Sequence, residues 1–99
     1  MFTYPAIIKP DGSTLSISFR DIPEAITFGE TQSEALKHGR DAMETALTFY
    51  IEKEIPFPIP SKLETGEFLI QASIKACIKF KTYEIKLNIR KFLGLLKSY

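Results

Sequence analysis

His38 and Cys77 are the only histidine and cysteine in this 99-residue chain, and they lie too far apart in sequence to suggest a joint role. His38 has no cysteine or second histidine at ligand spacing, so neither a zinc site nor a histidine-centred triad is expected. Cys77 falls on the apolar side of its segment and reads as a buried, inert thiol. Asp11, Asp21, Glu24 and Glu30 remain as a conceivable carboxylate cluster for two metal ions. Such a centre needs a carboxylate projecting from the middle of the first strand, and Phe2 to Lys9 contains none. Asp11 suits a turn, and Asp21 suits the bend before Pro23. Gly12, Gly29, Gly39, Gly66 and Gly94 form no phosphate-cradling loop. The expectation is a chain with no catalytic residue, no metal, no cofactor and no small-molecule substrate.

The charges carry more information. Residues 1–72 sum to −5 and residues 73–99 to +6, with Glu84 the lone acid of the second segment. An acidic body can meet a basic partner. The basic segment interleaves Phe80, Tyr83, Phe92 and Tyr99 with Lys75, Lys79, Lys81, Lys86, Arg90, Lys91 and Lys97, a composition that could neutralise phosphates. A helix pair of this size lacks the recognition helix that reads a groove, so sequence-specific readout is not expected. At 44% hydrophobic residues the chain supports one small core. It shows no basic leader before an apolar run and no stretch near the roughly 20 apolar residues of a membrane span, so a cytoplasmic protein without membrane contact is expected.

The elements that must hold these residues follow from pattern. Phe2 to Lys9 reads as a strand, placed at a sheet edge by Pro5. Pro10-Asp11-Gly12-Ser13 is a turn. Leu15, Ile17 and Phe19 alternate with Ser16 and Ser18, a half-buried strand hairpinned to the first. Ala25 to Phe28 supplies a third strand, closed by Gly29. Thr31-Gln32-Ser33-Glu34 has the form of a capping box, with Glu34 reaching back to the Thr31 amide. Ala35, Leu36, Gly39, Ala42, Met43, Ala46, Leu47 and Tyr50 then form one helical stripe that covers the sheet. Pro56, Pro58 and Pro60 end that helix, and residues 55–61 form an extended connector. Glu67 to Ala72 is a fourth strand, which a helical crossover allows to lie parallel to the meander. From Ser73 on, Ile74, Cys77, Ile78, Ile85, Ile89, Phe92 and Leu96 keep a helical period, with a break expected at Asn88 between two short helices. The chain thus reads as α+β, with residues 1–72 as the body and residues 73–99 as a basic helical tail.

The run Ser18-Phe19-Arg20-Asp21-Ile22-Pro23-Glu24-Ala25-Ile26-Thr27-Phe28-Gly29-Glu30-Thr31, then Glu34-Ala35, then Ile55-Pro56-Phe57-Pro58-Ile59-Pro60-Ser61, resembles the HicB family of antitoxins over residues 2–80. The resemblance implies a partial ribonuclease H-like β-β-β-α-β domain without nuclease activity. It also implies a partner, a small basic HicA-like toxin that cleaves mRNA and whose catalytic histidine the antitoxin covers, and assembly as a homodimer or larger complex. Family members often continue into a ribbon-helix-helix or a helix-turn-helix domain that binds the operon's own promoter, and here the helix-turn-helix form is the one approached. Ala72-Ser73-Ile74-Lys75-Ala76 and Asn88-Ile89-Arg90-Lys91 resemble its entry, whereas residues 92–99 depart from it. On this reading the candidate toxin contacts are Phe19, Asp21, Glu24, Thr27, Glu30, Glu34, Asp41 and Glu44. The candidate nucleic-acid contacts, for an autorepressor alternative, are Lys75, Lys79, Lys81, Lys86, Arg90 and Lys91.

Overall fold

Alternating side chains make the sheet two-faced, and a single helix fills one of the faces. In the computed structural model, which describes residues 2–97, the elements are β1 (Thr3–Asp11), β2 (Thr14–Phe19), β3 (Ile22–Gly29), α1 (Gln32–Glu52), β4 (Phe68–Gln71) and α2 (Ile74–Lys97). The strands form one antiparallel sheet in the order β3-β2-β1-β4. Gly12, at φ 62°, supplies the left-handed residue of the β1-β2 turn. Tyr4, Ala6, Ile17, Phe19 and Ala25 point to the same side and are buried beneath α1.

Two expectations about the sheet are corrected. β1 is a central strand, so Pro5 does not mark an edge. The Ala72 amide donates to Phe2 O (2.9 Å), and alternation from that pair turns the Pro5 nitrogen away from β4. It faces the β2 side, where the register begins only at Ile7. The missing N–H therefore leaves no gap in either ladder. The second correction concerns β4, which is antiparallel to β1. The connector after α1 climbs along the sheet past Tyr4 and Arg20, so β4 enters beside Ala6 and descends toward Phe2.

α1 starts where the sequence places it. Thr31 Oγ1 accepts from the Glu34 amide (3.1 Å), while the Glu34 carboxylate takes the Glu30 amide (3.1 Å) instead of the expected Thr31 amide. Ala35, Gly39, Met43, Ala46 and Leu47 are its buried face. Small residues bring its axis close to the sheet: a Cβ on Gly39 would lie 2.6 Å from Ile17 Cδ1. The helix ends with Glu54 in the left-handed region (φ 56°), the Glu54 amide on Ile51 O and the Ile55 amide on Tyr50 O, a Schellman closure.

The connector is pinned by ring packing and by hydrogen bonds to the sheet. Phe57 packs edge-on against Phe2 (5.5 Å) and Phe80 (5.4 Å), which draws the first turns of α2 into the same core as the sheet. Tyr4 Oη donates to Pro58 O (2.7 Å), and Asp21 takes the Ser61 amide (2.8 Å) and hydroxyl (2.5 Å). Arg20 grips Glu67 through two bonds (2.8 and 3.0 Å) and also reaches Lys62 O. α2 then runs unbroken through Asn88, a correction to the two short helices expected. An exposed asparagine within a helix costs only some tenths of a kcal/mol, too little to end it without a proline or a competing partner.

Two outcomes follow from these pins. Tyr4→Phe, which strands the Pro58 carbonyl, should cost about 1 kcal/mol and lower Tm by about 4–8 °C. Burial, with Glu84, Asp21 and Tyr50 adding to it, pushes the Tyr4 phenol from 10.0 up to about 12. The folded form thus favours the neutral phenol, a contribution complete below pH 10 and lost as the pH rises through about 12. Urea midpoints measured from pH 8 upward should therefore fall more steeply for the parent than for Tyr4→Phe. At the acid end, the hydrogen bond from Arg20, and then the Glu64 amide, hold the Glu67 carboxyl below its ordinary 4.5. That contribution is complete above pH 4.5 and fades as the pH drops through the lowered value. Glu67→Gln should flatten the acid limb of the same titration, and an unchanged limb would contradict the assignment.

Candidate partner-binding surface

α1 lies on one side of the sheet, and among the described residues no helix covers the opposite side. Its rows can be read from the register: Phe28 beside Ser16 and Lys9, Ile26 beside Ser18 and Ile7, and Leu69 beside Pro5. Ile26 is 58% exposed, Phe28 46% and Leu69 56%. Water-facing apolar side chains grouped on one face are characteristic of an interaction surface. Glu24 and Glu30 stand exposed at either end of this row of β3, so the apolar strip has an acidic rim. Tyr50 Oη donates to Glu24 (3.1 Å) and fixes its position; burial, and then that bond, raise the Tyr50 pKa. β3 is also the last strand of the sheet, and among the described residues no strand pairs with its outer edge. That outer edge is partly occupied from α1, since Phe28 O accepts from His38 Nδ1 (2.7 Å).

The eight residues proposed from sequence as toxin contacts separate on this geometry. Glu24 and Glu30 are exposed on or just past β3 at the sheet's outer edge, with Glu24 held by Tyr50 of α1, and Asp41 is exposed on α1. Phe19 is 2% exposed and belongs to the core under α1. Thr27 pairs with Ile17 and so faces the helix side. Asp21 is engaged by Ser61, Glu34 caps α1, and Glu44 accepts the Ser73 amide (2.7 Å) at the start of α2. The structure therefore does not bring the eight together on one surface. Ile26 and Phe28 went unnoticed in sequence, although their register partners Ser18 and Ser16 already marked the outward face.

His38 Nδ1 donates to Phe28 O (2.7 Å), which ties α1 to β3. Among the described residues no group of three His, Cys, Asp or Glu side chains could hold a metal ion. On α2, helical geometry places Lys75, Lys79, Lys86 and Arg90 within one sector of about 60°, with Lys81 and Lys91 outside it. Lys79 donates to Thr48 Oγ1 (3.2 Å), Arg90 pairs with Glu54 (3.1 Å), and Lys81 lies 3.8 Å from Glu84.

The fold of this α+β domain is similar to that of the N-terminal domain of the Burkholderia pseudomallei antitoxin HicB. The TM-score is 0.58 over 74% of this chain and all of that domain, at 21% identity, a likeness of fold alone. The longer Burkholderia pseudomallei HicB structure matches at 0.56, covering 75% of this chain and 64% of that one at 24% identity. The family model for the HicB-like antitoxin of bacterial toxin-antitoxin systems matches residues 3–81, and the chain belongs to that family. Antitoxin HicB of Escherichia coli K12 is 38% identical over 78 residues, which is 77% of this chain and 56% of that protein. Antitoxin HicB 2 of Photorhabdus laumondii is 40% identical over 73 residues, 74% of this chain and 52% of its own length. The chain thus spans about half the length of these curated relatives. No helix among the described residues is long and apolar enough to cross a membrane.

Proposed function

We propose that this antitoxin binds a HicA-type mRNA endoribonuclease in the cytoplasm and neutralises it by covering its active site, itself catalysing nothing. The observation that carries this reading is the bare face of β3, where Ile26 and Phe28 lie between Glu24 and Glu30 on an edge strand. A net −5 over residues 1–72 would draw a small basic enzyme toward it, and the apolar strip would then hold it once water is expelled. Neutralisation of this kind requires shape and charge, and no reactive group. The test is to mix the chain with a HicA-type toxin and follow cleavage of RNA. Cleavage should stop at equimolar antitoxin, and undiminished cleavage at molar excess would refute the reading.

A second reading is favoured by the single row of Lys75, Lys79, Lys86 and Arg90 on α2. In it the chain binds its own promoter as an autorepressor. Four phosphate contacts would give a slope of log K against log salt of about −3.6. Promoter and random fragments bound equally would reduce that reading to nonspecific attraction.

A further inference from the structure

The sheet ends in two edge strands, and they differ in what stands beside them. On β3, Phe28 O is already taken by His38. β4 is the other edge. The bond from the Ala72 amide to Phe2 O fixes the alternation along β4, so Phe68, Ile70 and Ala72 pair with β1 while the Leu69 N–H and C=O point outward. α1 packs chiefly on β3 and β2 and reaches β4 with one flank only. Between that flank and the strand lies a trough of about 710 Å³, walled by Leu36, Lys37 and Arg40 of α1 and by Phe68 and Leu69 of β4. We propose that this trough takes an extended segment of a partner protein as a fifth strand beside β4, a segment in which acidic and apolar side chains alternate.

Charge selects the occupant. Lys37 and Arg40 stand one helical turn apart on the same flank of α1, both exposed, and among the described residues neither has an ion pair. The acids of this flank lie farther along the helix: Glu44 holds the Ser73 amide, and Asp41 shares with it a separate cleft that also contains Lys75. The end of the trough nearest Phe68 is therefore positive. Periodicity supplies the rest of the pattern. A strand laid at roughly 4.8 Å from β4 would set its side chains alternately level with Phe68 and Ile70, on the helix side, and with Leu69, on the bare side. Those on the helix side would reach the ammonium of Lys37 and the guanidinium of Arg40, which calls for carboxylates. Those on the bare side would continue the row of Pro5 and Leu69, which calls for apolar groups, and would cover Leu69 where it is now 56% exposed. Backbone bonds to Leu69 would give the segment its grip, and the side-chain alternation its selectivity. A partner of this sign differs from the basic enzyme proposed for the β3 side, and the two edges lie at opposite ends of the sheet.

The probe is a fluorescent peptide of alternating valine and glutamate, blocked at both termini, titrated against the full chain. It should bind, and its counterpart with lysine in place of glutamate should bind at least about tenfold more weakly. Lys37→Glu combined with Arg40→Glu, on an exposed helix surface, should keep the parent circular dichroism and reverse that preference. Leu69→Pro removes an outward donor and leaves the β1 ladder intact, so it should weaken the glutamate peptide by about tenfold. Amide exchange in the parent gives the same information without a substitution: the Leu69 amide should become protected when the peptide is added. No binding of the glutamate peptide, an unchanged preference in the double variant, or a Leu69 amide that stays unprotected would each overturn the proposal. Association between copies that Leu69→Pro abolishes would overturn it too, because the edge would then belong to a second copy of this chain.

Discussion

Replacing Ile26 and Phe28 together by lysine should weaken toxin binding by roughly 10²–10⁴-fold while leaving the unfolding midpoint within experimental scatter. Burying each of these side chains contributes about 1.5–3 kcal/mol, so removing both forfeits about 3–6 kcal/mol. The new ammonium groups add repulsion toward a basic enzyme, and their main effect should be on the association rate. Stability is spared because both side chains face water on an edge strand, a position where lysine is well tolerated. Titration calorimetry against a HicA-type toxin, paired with thermal unfolding, reads both numbers. Full affinity in the folded double variant would remove the bare face from the interface. Neutralisation by way of α1 or the tail would then be the remaining possibility.

Gly29→Ala should be the most damaging single methyl group in the molecule. A Cβ there would lie 2.4 Å from the Ala35 nitrogen, 2.7 Å from Ala35 Cα and 2.9 Å from the Glu34 carbonyl carbon, all of them backbone atoms. Relief requires the first turn of α1 to move away, which strains the Thr31 cap and the Ala35 amide bond to Thr31 O. Overpacking of this kind costs about 1–3 kcal/mol and a lost cap about 1 more, so a loss of about 3 kcal/mol and a Tm lower by about 12–24 °C are expected. Gly39→Ala, which meets only the Ile17 side chain, should cost less. Gly94→Ala has open space and should stabilise α2 by up to about 1 kcal/mol. Equal effects for the three substitutions would show that the tight junction between β3 and α1 is not rigid.

Local features were legible because their causes are local. The Gly12 turn, the alternation of β2, the Thr31 cap and the small-residue stripe of α1 each depend on neighbours within a few positions. The family resemblance rested on those same residues and agrees with the match over residues 3–81. Apart from the break expected at Asn88, which helix propensity overrode, the places where sequence reasoning failed are non-local. Pro5 was read as an edge residue from its own chemistry, but the side on which a nitrogen is needed depends on where two other strands begin pairing. The direction of β4 depended on how far the connector climbs, which is set by Tyr4, Arg20 and Asp21 reaching residues at least 40 positions away.

The candidate surface divides in the same way. Residue order alone determined that the body is acidic, that the last segment is basic and apolar, and that titratable side chains at catalytic spacing are scarce, since charge and spacing are properties of the chain itself. Tertiary structure alone decided which acids are free and which act as clamps. A carboxylate that accepts a backbone amide of a distant segment, as Asp21 and Glu44 do, is indistinguishable in sequence from an exposed one held only by a tyrosine hydroxyl, as Glu24 is. It likewise decided that Ile26 and Phe28 face water, because exposure is set by what packs above a strand, and among the described residues no helix passes over this side of the sheet.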